Sequence, residues 1–184
     1  MAIALVTDYC HYLPRELAER CGLHEVSLYV HRDGGAVREI EITDLDAYYD
    51  SLAHAGELPT TSQPSIGDFI STYEPLLAAG KEIVSIHISA GISGTFEAAN
   101  QARQRLIDED RGGDRIHVMD SRSAAGGMGL AVLGASAAAI EGSDAATCLD
   151  RAEKTREALK MWFAIDTLEY LRRGGRIGGA RAWI

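Results

Sequence analysis

An α/β layered fold with a mainly parallel sheet is what this 184-residue sequence predicts. Three observations carry that prediction. Short apolar runs alternate with helical patterns over most of the chain. The runs stop at polar or small residues: Asp8, the Ser89 turn and Asp120. And 46% of the residues are hydrophobic, enough for one ordinary domain or one domain plus part of another.

The elements follow in order. Ala2 to Thr7 is the first strand, and Asp8 to Pro14 the turn after it. Pro14 suits the first position of a helix through about Cys21. His24 to His31 is a second strand. Asp33-Gly34-Gly35 is a hairpin signal that sends Ala36 to Ile42 back antiparallel. Thr43 caps a helix through Ala55, and Gly56 to Phe69, with two prolines, is a loop. Ser65 caps a helix to about Ala79, with Phe69, Ile70, Tyr73, Leu76 and Leu77 inward. Glu82 to Ile88 is a buried strand. A helix starts at Ser93 and runs to about Asp108, with Phe96, Ala99, Ala102 and Leu106 at helical spacing. Arg115 to Met119 is a strand, Ala124 to Glu141 and Asp144 to Lys160 are helices, Met161 to Ile165 is a strand, and Thr167 to Arg173 a short helix.

Composition removes several function classes. A formal net charge of -9 argues against a nucleic-acid partner. Cys10, Cys21 and Cys148 have neither disulfide-framework nor zinc spacing, which fits free thiols in a cytosolic protein. The opening MAIALVTD lacks a basic region and reaches Asp8 too early for a signal peptide. Ser123 to Ile140 is uncharged but mostly Ala and Gly. It reads as a buried helix that admits close neighbours, not as a membrane span. The end, RRGGRIGGARAWI, has no polar tail and reads as a chain cut inside a domain.

The stretch SIHISAGISGTFEAANQARQ places hydroxyls and glycine where a strand gives way to a helix. Gly91-Ile92-Ser93-Gly94-Thr95 is close to a G-x-S-x-G nucleophile elbow, but Thr95 replaces the last glycine. The last histidine, His117, lies inside a predicted strand, so no triad is assembled with Ser93. An anion site fits better. The first N–H groups of a helix carry partial positive charge, Gly94 lets a ligand approach the backbone, and Ser93 and Thr95 add donors. No lysine stands between Lys81 and Arg103, so a carboxylate suits the turn better than a polyphosphate. On spacing alone, Ser93 serves equally well as a cap for its own helix. Thr60-Thr61-Ser62-Gln63 is a second donor cluster that would meet the first at the carboxyl edge of a parallel sheet. Asp8 and Asp120 end strands and could hold Mg²⁺, but more commonly cap turns.

Five segments in this order, LVTDYCHYLP, LPTTSQPSIGDF, IHISAGISGTFEAA, VMDSRSAAGGMGL and DTLEYLRRGGRIG, resemble the DegV-like family of bacterial fatty-acid-binding proteins. The resemblance implies a three-layer α/β/α sandwich with a mainly parallel sheet over residues 1–160. It makes residues 161–184 the start of a second, mixed α/β domain. It implies a long-chain fatty acid as bound ligand, with no cofactor and no metal, in a protein that is not an enzyme. A separate fatty acid kinase would take the ligand for acyl-phosphate formation, without nucleic acid or stable membrane insertion. Carried over by motif, Thr61, Ser62, Ser93, Gly94 and Thr95 would hold the carboxylate. Asp8, Ser121, Gly126, Gly127 and Arg173 would lie near the pocket, and Arg173 or Arg176 would face the domain junction. The family's second domain would add a histidine and much of the tail tunnel. One departure stands out: the family's T-D-[ST]-[ST] is T-D-Tyr9-Cys10 here. A serine hydrolase or a phosphotransferase using the Ser93 turn is the alternative.

Overall fold

The structure is a computed structural model that describes residues 1–53, 58–162, 164, 167–168, 171–172 and 174–176. Its centre is a parallel sheet of β1 (Ile3–Asp8), β2 (His24–Val26), β6 (Glu82–His87) and β7 (Ile116–Asp120), in the order β2-β1-β6-β7. Alternation of side chains sends successive residues to opposite faces. Ala4, Val6 and Ile83 meet Phe69, Tyr73 and Leu77 of α3 (Ile66–Ala78), with Ala99, Ala102 and Leu106 of α4 (Thr95–Asp108). Leu5, Val84 and Ile86 meet the other layer: Ala131, Val132 and Ala135 of α5 (Ala125–Ile140), and Cys148 and Ala152 of α6 (Ala145–Ala158). Both faces are covered, which is why these strands read as continuous apolar runs. The three-layer sandwich is therefore observed.

The small residues of α5 do what their composition suggests. A Cβ on Gly134 would stand 2.5 Å from Thr155 Oγ1, so α6 packs against bare backbone there. Among the described residues, no helix is long and apolar enough to cross a membrane.

Several boundaries differ from expectation. Pro14 is the N-cap of α1 (Arg15–Arg20), not its first residue. The expected strand at 24–31 is two strands. β2 stays in the parallel sheet, while β3 (Tyr29–Arg32) leaves it to form a second sheet with β4 (Gly35–Arg38) and β5 (Thr60–Ser62), in the order β4-β3-β5. The hairpin forms as expected, with Asp33 and Gly34 at φ 52° and 76°. A turn of 3-10 helix, Glu39–Glu41, follows β4 in place of further strand. Asp44, not Thr43, caps α2 (Leu45–Ala53), accepting from Ala47 N at 2.9 Å. The predicted loop at 56–69 contains β5, because Thr60–Ser62 finds an antiparallel partner in β3. The expected strand at 161–165 and helix at 167–173 fall partly outside the described residues; residues 161, 162 and 164 are not strand, and 171–172 are helical.

Candidate functional site

β1, β6 and β7 all end at one edge of the parallel sheet, and the turns that follow them stack there. Ser121 N donates to His87 O at 2.9 Å, and Ser89 N to Ser123 O at 2.9 Å. Ser93 N and Ile92 N both donate back to Ser89 O at 3.1 Å, folding the Ser89–Ser93 turn over the end of β6. Gly94 becomes the N-cap of α4, with no side-chain cap. Ser93 therefore sits one residue ahead of the expected position. Its Oγ lies 2.8 Å from Thr95 Oγ1 and accepts from Thr95 N at 3.3 Å.

The second donor cluster arrives from the other sheet. β5 is held by β3 through the pairs Tyr29 with Ser62 and Val30 with Thr61. Beyond it, Ser65 and Asp68 form a capping box at the start of α3: Ser65 N donates to Asp68 Oδ2 at 2.8 Å and Asp68 N to Ser65 Oγ at 3.1 Å. Partial burial pushes the Asp68 carboxyl up, but bonds from Ser65 and from the Tyr29 hydroxyl outweigh it and hold it below the usual range.

Two contacts join the clusters. The Gln63 amide lies against Gly94, where an added Cβ would stand 2.5 Å from Gln63 Oε1. Arg176 donates from Nε to Ile92 O at 3.2 Å and from Nη2 to Thr61 Oγ1 at 3.4 Å. The site thus gains a cation that the sequence near Ser93 did not offer, from a residue 84 positions beyond Ile92. Arg173 or Arg176 is expected at the domain junction; of the two, Arg173 lies outside the described residues. Thr61 and Ser62 are exposed, Ser93 and Gly94 half-buried, and Thr95 buried.

The remaining expected pocket residues divide. Gly126 faces open space, and Gly127 lies against Ser123 and Met161. Ser121 is buried, its Oγ donating to Ser123 O at 3.1 Å and accepting from Ser123 N at 3.2 Å. Asp8 is fully buried and wholly engaged: Oδ1 accepts from Cys10 N at 3.1 Å, and Oδ2 from Ile88 N at 2.8 Å and His87 Nδ1 at 3.1 Å. Asp120 Oδ1 accepts from Arg122 N and Ala90 N. Both carboxylates are turn caps here, and among the described residues no three His, Cys, Asp or Glu side chains converge as metal ligands. Tyr9-Cys10, which replaces the hydroxyl pair, forms a 3-10 turn with His11, and burial pushes the Cys10 thiol far up.

Sequence reasoning missed a Ser–His–Asp chain. His87 Nδ1 faces Asp8, and His87 Nε2 lies 2.7 Å from Ser85 Oγ, which lies 2.8 Å from the Tyr73 hydroxyl. With Asp8 ionised, one assignment satisfies every atom. Nδ1–H donates to Asp8, Ser85 donates to Nε2, and Tyr73 donates to Ser85. Burial raises the Tyr73 hydroxyl, which keeps that proton in place. The alternation of β6 carried the signal, since Ser85 and His87 share the Ile83 face. All four side chains are 0% exposed, so nothing outside the core reaches them. They fasten β1 to β6 and α3. Ser93, by contrast, has neither imidazole nor carboxylate among its described partners and so lacks an activating base.

The geometry defines a class: a three-layer α/β protein whose sheet edge gathers hydroxyls, a glycine turn and one guanidinium. The DegV family model, which describes uncharacterised proteins of that family, matches residues 2–184. A DegV domain-containing protein of Clostridium perfringens is 36% identical over 182 residues, 99% of this chain and 64% of that protein. A fatty-acid-binding DegV family protein from Thermus thermophilus superposes with a TM-score of 0.87 at 38% identity, covering 100% of this chain and 64% of that one. DegV of Bacillus subtilis, also a fatty acid binding protein, gives 0.86 at 34% identity, with the same coverage. The chain belongs to the DegV family. It spans 64% of the length of these relatives.

Proposed function

We propose that this chain binds a long-chain fatty acid and holds its carboxylate between the Thr61-Ser62 and Ser93-Gly94-Thr95 turns. One observation carries the reading: the two turns meet through Gln63 and Gly94, and Arg176 bridges them. Hydroxyl donors, helix-end N–H groups and one guanidinium suit a single anionic group. The absence of a lysine next to the turn argues against a polyphosphate. Two solved relatives are fatty acid binding proteins, which agrees with that choice. The ligand is held and presented, not attacked, because no base stands beside Ser93 among the described residues. Transfer to a separate fatty acid kinase, for acyl-phosphate formation, is the step that the family resemblance adds.

The test is mass spectrometry of lipid extracted from protein purified out of cells. A saturated or monounsaturated fatty acid is expected. Nucleotide or sugar phosphate in the extract, without fatty acid, overturns the proposal, as does turnover of a simple ester that is lost in Ser93→Ala.

A further inference from the structure

β5 sends its side chains to two sides. Ser62 turns its hydroxyl to His31, with Oγ 2.8 Å from Nε2, while Thr61 is reached by Arg176, which also holds Ile92 O beside Ser93. Alternation returns the next residue, Gln63, to the Thr61 side, and its amide accordingly ends on Gly94. Measured to a Cβ placed on that glycine, Oε1 and Nε2 lie at 2.5 and 2.6 Å and the amide carbon at 2.8 Å. The polar edge of the amide, not its stem, therefore meets the start of α4. That start has no side-chain cap. Gln63 is exposed, and neither amide atom is hydrogen-bonded to a described residue. The positive end of a helix orients a nearby amide with its oxygen inward. The two N–H groups then point away from the helix, into the space between the turns.

We propose that Gln63 is a specificity-determining residue for the head group: Oε1 takes the uncapped N–H groups of α4, and Nε2 donates to the carboxylate. This rests on the reading that the Ser93 turn holds a carboxylate. An ionised carboxylate only accepts hydrogen bonds, and an amide that has committed its one acceptor to the helix offers only donors. A head group that must also donate, such as an alcohol, finds no acceptor on this residue. The arrangement needs glycine at 94, because a Cβ there would take the place of the amide.

The experiment uses the full chain, with oleate and oleyl alcohol as probes, titration calorimetry as the readout and a thermal melt as the check on folding. Gln63→Met, similar in length but without donors, is expected to bind oleate about tenfold more weakly and oleyl alcohol unchanged. Gln63→Glu keeps the shape but only accepts, and it sets a like charge beside the carboxylate. It is expected to lose oleate affinity by about a hundredfold or more, and to bind oleyl alcohol at least as tightly as the wild type. It should melt no lower, since an acidic residue suits the start of a helix. Wild-type oleate affinity in both variants, beside a weakened Ser93→Ala, overturns this inference and leaves the site reading standing. An equal loss of both probes does the same, and makes Gln63 a spacer. Unchanged oleate affinity in all three variants removes both.

Discussion

The buried chain of Tyr73, Ser85, His87 and Asp8 and the open cluster of Thr61, Ser62, Ser93 and Thr95 use similar side chains beside one edge of one sheet. They differ in what is left over. Within the buried chain every donor has an acceptor and no solvent reaches it. In the open cluster Thr61 and Ser62 face solvent, α4 starts without a side-chain cap, and Arg176 spans the gap. A Ser–His–Asp order is therefore not in itself a catalytic site, and a row of hydroxyls without a base is not in itself inert. Accessibility and surplus hydrogen-bonding capacity separate a fastener from a receptor.

The comparison breaks first at Asp8. Asp8→Ala leaves two buried backbone N–H groups and a buried imidazole without their acceptor. The expected loss is about 3–5 kcal/mol of folding stability, a large share of what a domain of this size possesses. Urea denaturation measures it. A loss below about 1 kcal/mol shows that the buried chain does not fasten the sheet edge.

Ser93→Ala tests the open side, and the cost should fall on binding. Losing one hydrogen bond to a charged group costs roughly 1.5–3 kcal/mol, about ten- to a hundredfold in affinity. Folding stability should change little, since Gly94 and not Ser93 is the N-cap. Calorimetry with oleate and a thermal melt separate the two. Unchanged affinity with a lowered melting temperature would make Ser93 structural after all.

Gly94→Ala sharpens the contrast. The three atoms nearest the new Cβ all belong to the end of the Gln63 side chain, which can swing aside. Stability should fall by less than about 1 kcal/mol, while affinity drops several-fold as the two turns part. A variant that binds oleate like the wild type shows that the Gln63–Gly94 contact does not shape the site.

Most of the fold was legible because its signals are local and periodic. The parallel strands, the hairpin at Asp33-Gly34 and the inner face of α3 all follow from alternation, turn chemistry and helical spacing. What was missed depends on partners distant in sequence. Thr60–Ser62 is too short and polar to read as a strand until β3 lies beside it. His87 was passed over because its partner Asp8 lies 79 residues away. The donor turns were legible as residue types at strand–helix junctions, whereas Gln63 filling the space above Gly94 has no signature in the sequence beyond the glycine itself. Arg176 showed in the sequence only as one of two arginines that the family resemblance turned toward the domain junction, not as a partner of Thr61 and Ile92.

The smallest expected effect concerns a third hydroxyl, Ser65, three residues from Ser62 but belonging to the fastening side. Its Oγ accepts from Asp68 N, and its own N and Oγ donate to Asp68 Oδ2 at 2.8 and 2.7 Å. Removing such a cap costs about 1 kcal/mol. Asp68 is held below its usual range in the folded chain. Its contribution is therefore present above the unfolded carboxyl value of about 3.9 and is lost as pH falls through the lower folded value. Ser65→Ala should be less stable than the wild type near neutral pH, and the gap should narrow in acid as the Asp68 carboxylate is protonated. Urea midpoints at several pH values measure that convergence, and oleate affinity near neutral pH should be unchanged. A gap that does not vary with pH removes the ionised carboxylate from the cap. An affinity loss as large as that of Ser93→Ala places Ser65 with the open cluster, and the line between fastener and receptor would then run on the far side of the Thr61–Ser65 loop.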